Sequence, residues 1–121
     1  MARILIVDDS PTDVQNVRNI LQRAGHVVME AGSAQDVLAR VKTERPDCVV
    51  MDVVMPGMNG FQATRVLSKD PDTQRIPVIV VSTKNQETDR VWALRQGARE
   101  YIVKPVKAEE LINKINAVLA G

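Results

Sequence analysis

The sequence predicts an α/β fold, a doubly wound five-stranded parallel sheet in the order 2-1-3-4-5 with five flanking helices. Three observations carry that expectation. Five short apolar runs recur along the chain and alternate with segments of helical period. Several runs are apolar on both sides, the pattern of a strand covered on both faces. Four of the five close on polar groups, and open sheets of this kind place their ligands outside the carboxyl ends of their strands.

Arg3 to Val7 is the first strand, closed by Asp8-Asp9-Ser10-Pro11, in which an Asp or Ser before Pro signals a helix start. From Val14, the positions Val17, Ile20, Leu21 and Ala24 follow helical spacing until Gly25. Val27 to Ala31 is the second strand. Ser33 is then expected to cap a helix with Ala34, Val37, Leu38 and Val41 inward, ending before Pro46. Cys48 to Asp52 is the third strand, which Pro56, Gly57 and Gly60 stop.

A third helix with Phe61, Thr64 and Leu67 inward runs out at Lys69-Asp70-Pro71-Asp72. Ile76 to Val81 makes the fourth strand, followed by Ser82-Thr83 and a helix over Gln86 to Gln96 with Val91 and Leu94 inward. Glu100 to Val103 is the fifth strand, closed by Lys104-Pro105. The last helix carries Leu111, Ile112, Ile115, Val118 and Leu119 on one stripe. Right-handed crossovers leave few ways to arrange such a chain.

With 121 residues, 45% of them hydrophobic and 26% charged, the expected organisation is a single domain over residues 1–121 with no second domain. Sixteen Lys and Arg against fifteen Asp and Glu give no global field toward nucleic acid or an anionic membrane. With only Phe61, Trp92 and Tyr101 as aromatics, a stacking platform for single-stranded nucleic acid is not expected either. The start is too short for a signal peptide and no run approaches a membrane span, so a cytoplasmic protein without membrane insertion is expected. Cys48, the single cysteine, forms no internal disulfide and reads as a small core residue.

Function is legible at the strand ends. Asp8 and Asp9 follow the first strand, Asp52 ends the third, Ser82 follows the fourth and Lys104 the fifth. In the order 2-1-3-4-5 the first and third strands are neighbours at the switch point, so three carboxylates converge there. Such crowding raises carboxylate pKa values and persists only beside a cation. Hard oxygen ligands suit Mg²⁺, which uses one or two carboxylates together with phosphate oxygens. A carboxylate can attack phosphorus to give an aspartyl phosphate, with the metal and Lys104 neutralising charge and Ser82 binding a phosphoryl oxygen. Singly, these residues read as a helix cap, a turn former and a surface cation.

The set resembles the response-regulator receiver domain over the whole chain: an acidic pair after strand one, Asp52 in D-x-x-M-P-G-M-x-G, Ser after strand four and K-P after strand five. The resemblance implies Asp52 as the phosphoacceptor, forming 4-aspartylphosphate, with Asp9 as a direct Mg²⁺ ligand. Asp8 would act on the metal partly through water, and the Val54 backbone carbonyl would be another ligand. It also implies phosphoryl contacts from Ser82 and Lys104, an aromatic switch at Tyr101 coupled to Ser82, and a cis Lys104-Pro105 bond. The implied donor is a histidine kinase, and a downstream protein would bind the face of the fourth helix, fifth strand and fifth helix, where Trp92 and Tyr101 mix with arginines. A narrower resemblance, in Asp52 to Arg65, Lys84 to Trp92, Arg95 to Arg99 and Ile115 to Gly121, is to regulators of type IV pilus twitching motility. The sequence departs from the family at Val106, where Phe is usual, at Thr83, where Ala or Gly is common, and at Val54, where a polar side chain is common.

Two other classes are weighed on the same fold. A flavin carrier conflicts with the acidic loop after strand one, which would repel a phosphate. An aspartate-dependent phosphatase needs D-x-D, which neither Asp8-Asp9 nor Asp52-Val53-Val54 offers. An interaction module that is never phosphorylated would not need the acidic pair and Lys104, and both are present. The reading is a phosphorylation switch rather than an enzyme acting on other molecules.

Overall fold

The computed structural model describes residues 1–54 and 59–120, so the turn expected at Pro56 and Gly57 lies outside the described residues. Five strands and five helices alternate: β1 (Arg3–Val7), α1 (Pro11–Arg23), β2 (Val27–Ala31), α2 (Val37–Glu44), β3 (Cys48–Asp52), α3 (Gly60–Lys69), β4 (Val78–Ser82), α4 (Glu87–Arg95), β5 (Glu100–Val103) and α5 (Ala108–Ala120). The strands form one parallel sheet in the order β2-β1-β3-β4-β5. β3 and β4 are buried at every position, as their apolar runs require, whereas β2 lies at the edge and is only partly covered.

The two-residue period of the strands divides the core into two layers. Leu5, Val7, Val49, Met51, Val80 and Tyr101 pack with α2, α3 and α4 on one face. Ile4, Ile6, Cys48, Val50, Val81 and Ile102 pack with α1 and α5 on the other. Cys48 is a core residue, as expected, and burial pushes its thiol pKa up to about 12, which makes it unreactive at neutral pH.

Local details depart from the expectations. α2 begins at Val37, not behind Ser33, whose Oγ accepts the Gln35 N–H in a tight turn. On α4, Ala93 is the buried residue, while Val91 and Leu94 are half-buried: the helix rests on the sheet through a small side chain. Leu119 is exposed, so the inner stripe of α5 is Leu111 and Ile115, with Ile112 and Val118 at its margin. Among the described residues, no helix is long and apolar enough to cross a membrane.

Candidate functional site

The site is an extension of the α1/α5 layer past the end of the sheet. Ile4 and Ile6 point to that layer, and the next residue of the same parity is Asp8; Cys48 and Val50 lead likewise to Asp52, and Ile102 to Lys104. Because β1 and β3 pair in parallel from Ile4↔Cys48 to Val7↔Met51, the two carboxylates emerge side by side. Their bodies are held by apolar strands and their functional atoms stand at the rim.

Asp8, Asp9 and Asp52 bring one carboxylate oxygen each within 4.8 Å of one another. Asp8 and Asp52 are buried and Asp9 is exposed. The Ser10 N–H donates to Asp8 Oδ1 at 2.9 Å, which fixes the start of the loop, and Ser10 caps α1 by accepting the Asp13 N–H at 3.4 Å. A cleft of about 460 Å³, rimmed by the Arg18–Glu30 ion pair, opens beside Asp8 and Asp9. Another cleft, about 660 Å³ between Asp47, Arg75, Arg99 and Leu119, adjoins the residues that precede β3, β4 and β5 and so lies at the other end of the sheet from the carboxylates.

Lys104 Nζ lies 3.0 Å from Asp8 Oδ2, 2.8 Å from Asp13 Oδ2 and 3.0 Å from Asp52 Oδ1. Burial works to lower the Lys104 pKa, but hydrogen bonds to Asp13, Asp8 and Asp52 outweigh it and hold the ammonium well above its ordinary value. At Asp52 burial wins. Its pKa stands above the usual carboxylate value because desolvation and the neighbouring Asp8 charge outweigh the hydrogen bond and charge of Lys104. One ammonium among these carboxylates leaves an excess of negative charge in an all-oxygen donor set, which suits a hard divalent cation such as Mg²⁺.

Of the residues expected at the site, Asp8, Asp9, Asp52 and Lys104 meet. Ser82 has the opposite parity, on the Val80 side of β4, and its Oγ accepts the Lys84 N–H at 3.1 Å; the Lys104 backbone N–H donates to the Ser82 carbonyl at 2.7 Å, but among the described residues no hydrogen bond joins the Ser82 side chain to Asp52 or Lys104. Val54, two residues beyond Asp52, is exposed. Tyr101 is buried in the α2/α3/α4 layer and donates its hydroxyl proton to the Lys84 carbonyl at 2.8 Å. Burial raises its phenol pKa, with the nearby Ser82 hydroxyl acting against that. The Lys104-Pro105 peptide is cis.

Sequence reasoning missed Asp13. The helix start was read at Ser10-Pro11, but only the apolar positions from Val14 onward were given a direction, whereas Asp13 in the first turn of α1 faces Lys104. The signal was the Ser10-Pro11 pair itself, read one step further.

Comparison with known proteins agrees with this arrangement. The response regulator receiver domain model matches residues 4–116, and the chain belongs to that family. It is similar to Protein PilH of Pseudomonas aeruginosa, at 59% identity over 121 residues and the full length of both chains. It spans about half the length of the transcriptional regulators that it also matches. Among solved structures, the chemotaxis protein CheY4 of Vibrio cholerae superposes with a TM-score of 0.89 at 30% identity, covering 98% of each chain. The receiver domain of the Pseudomonas aeruginosa sensor histidine kinase PA1611, described with a magnesium ion in its active-site cleft, gives 0.91 at 25% identity, covering 99% of this chain and 98% of that one. Receiver domains bind Mg²⁺, and the Asp8, Asp9 and Asp52 cluster could hold one here.

If Asp9 is a ligand, removing it deletes a metal contact and also relieves like-charge crowding. With a chelator present, Asp9→Ala should therefore melt no lower than the parent chain, and added Mg²⁺ should raise its melting temperature less than it raises the parent's. A clear fall in the chelated state would assign Asp9 a structural role in the loop.

Proposed function

We propose that the chain is a single-domain response regulator, residues 1–121, that takes a phosphoryl group on Asp52 from a histidine kinase and signals by protein contact. The observation that carries this reading is the placement of Lys104 Nζ 3.0 Å from Asp52 Oδ1 within the Asp8, Asp9 and Asp52 cluster. In the transfer, an Asp52 oxygen attacks phosphorus, the bond to the donor nitrogen breaks, and the donor imidazole keeps the electron pair. Asp8, Asp9, Asp52 and the Val54 carbonyl would hold Mg²⁺, which supplies charge neutralisation. Lys104 neutralises a phosphoryl oxygen, and Ser82 reaches another by turning from the Lys84 N–H.

Ser82 and Tyr101 meet around Lys84, which links the phosphate-sensing residue to α4 and β5. The proposed output surface is α4, β5 and α5, where Trp92 and Val103 are exposed. A partner there binds the phosphorylated form more tightly only through contacts that differ between the two states. The chain acts in the cytoplasm, promotes only its own phosphorylation and dephosphorylation, and binds no nucleic acid. Its likeness to PilH favours control of type IV pilus twitching motility.

The test is intact-mass measurement after mixing with acetyl phosphate. One phosphoryl group should be added with Mg²⁺ present and none with a chelator. Equal labelling in both conditions would remove the metal from the reading.

A further inference from the structure

We propose that Asp13 is a positioning residue that restrains Lys104, so that phosphorylation of this chain is slower than its metal site and lysine alone would allow. The inference rests on Asp52 being the phosphoacceptor.

An ammonium has three hydrogens to donate. Here two of them are hydrogen-bonded, to Asp13 at 2.8 Å and Asp8 at 3.0 Å, while Asp52 Oδ1 stands 3.0 Å away as an ion-pair partner. The bonds to Asp13 and Asp8 hold the ammonium in place, and Lys104 swings toward a phosphoryl oxygen on Asp52 only as one of them loosens. The three partners are not equivalent. Asp8 and Asp52 belong to the carboxylate cluster that suits a cation, whereas Asp13 is outside it. Filling the cluster draws charge away from the first two pairs and leaves Asp13 as the undiminished partner of Lys104.

Charge acts in the same direction. With Asp8, Asp9, Asp13 and Asp52 ionised, Lys104 and one divalent cation leave the site one negative charge in excess. Asp13 is that excess, and it faces an anionic phosphodonor. Its side chain is 41% exposed, against 9% for Lys104, so replacing it leaves no carboxylate stranded in the interior. The cap of α1 survives replacement, because Ser10 accepts the backbone N–H of residue 13 and not its side chain.

Two measurements on the full chain test this: the Lys104 ammonium resonance in ¹⁵N-lysine-labelled protein without metal or donor, and the rate of labelling by acetyl phosphate with Mg²⁺ at low and high KCl. In Asp13→Ala and Asp13→Asn the resonance should shift. Labelling should accelerate about threefold to tenfold in the alanine variant, the size expected of removing one nearby charge in a partly solvated site. Asparagine, whose amide oxygen still accepts from Nζ, should give a smaller gain, and high KCl should shrink both. An unmoved resonance shows that the contact is not held in solution and overturns the proposal. A shifted resonance with unchanged or slower labelling also overturns it, because Asp13 would then be aiming Lys104 productively. A parent chain that takes up no phosphate removes the Asp52 reading and this one with it, while a labelled parent without acceleration removes this one alone.

Discussion

Asp52→Asn should take up no phosphoryl group from acetyl phosphate with Mg²⁺, and with a chelator present it should unfold at a higher temperature than the parent at neutral pH. Both results come from one atom. The amide keeps the shape of the side chain and an oxygen for Lys104, but it is not a nucleophile toward phosphorus. Stability follows from the raised pKa of Asp52, which burial and Asp8 produce against the pull of Lys104. A carboxyl whose folded pKa lies above its unfolded one binds more protons folded than unfolded between the two values. Stability therefore falls as pH rises from the ordinary aspartate range through the raised value, and above it the penalty is complete. Asn removes the titration and with it this contribution. Mass spectrometry and thermal melts from pH 3 to 8 check both results. Labelling of the variant sinks the phosphoacceptor assignment, and a lower melting temperature at neutral pH would show that the Asp52–Lys104 pair outweighs desolvation.

Gly60→Ala should lower the melting temperature by about 10 °C or more, although residue 60 carries neither a charge nor a side chain. Gly60 opens α3 and donates its N–H to the Val53 carbonyl at 2.8 Å, bringing the helix start against the end of β3. A Cβ there would stand 1.9 Å from the Asp52 carbonyl oxygen and 2.8 Å from the Val53 Cα, so the collision is with backbone, which cannot swing aside. Overpacking costs about 1–3 kcal/mol where side chains can adjust. Here the upper end is the floor, and for a domain of this size that corresponds to roughly 3–6 °C per kcal/mol. The same displacement moves Asp52, so labelling by acetyl phosphate should slow as well. A variant that melts within about 2 °C of the parent would show that α3 can withdraw freely.

Much of this was legible because strands advertise themselves twice, by what they bury and by where they stop. The runs ending at Val7, Asp52 and Val103 end there in the structure, and Asp8, Asp52 and Lys104 meet because each is the next residue of the buried parity. Helix starts were less legible. Ser33 has the right chemistry for a cap but spends it on Gln35, and α2 starts four residues later without a side-chain cap bond. α4 hides its inward face because Ala93 between Trp92 and Leu94 carries little hydropathy of its own. Asp13 was invisible for another reason. Its role depends on a contact across 91 residues, and its local setting, an acidic residue in a first helical turn, already has a sufficient explanation in the helix dipole.

The ammonium of Lys104 has a consequence for how the chain acquires its site. It ties the beginning of the chain to a residue near its end, 96 positions from Asp8 and 91 from Asp13. On a ribosome, Asp8, Asp9 and Asp52 emerge well before their counter-ion, and contacts of such long span are the slow ones to form. A nascent chain halted ahead of residue 104 holds the acidic residues without the cation that tempers them. The complete charge arrangement is thereby reserved for chains whose last strand has docked.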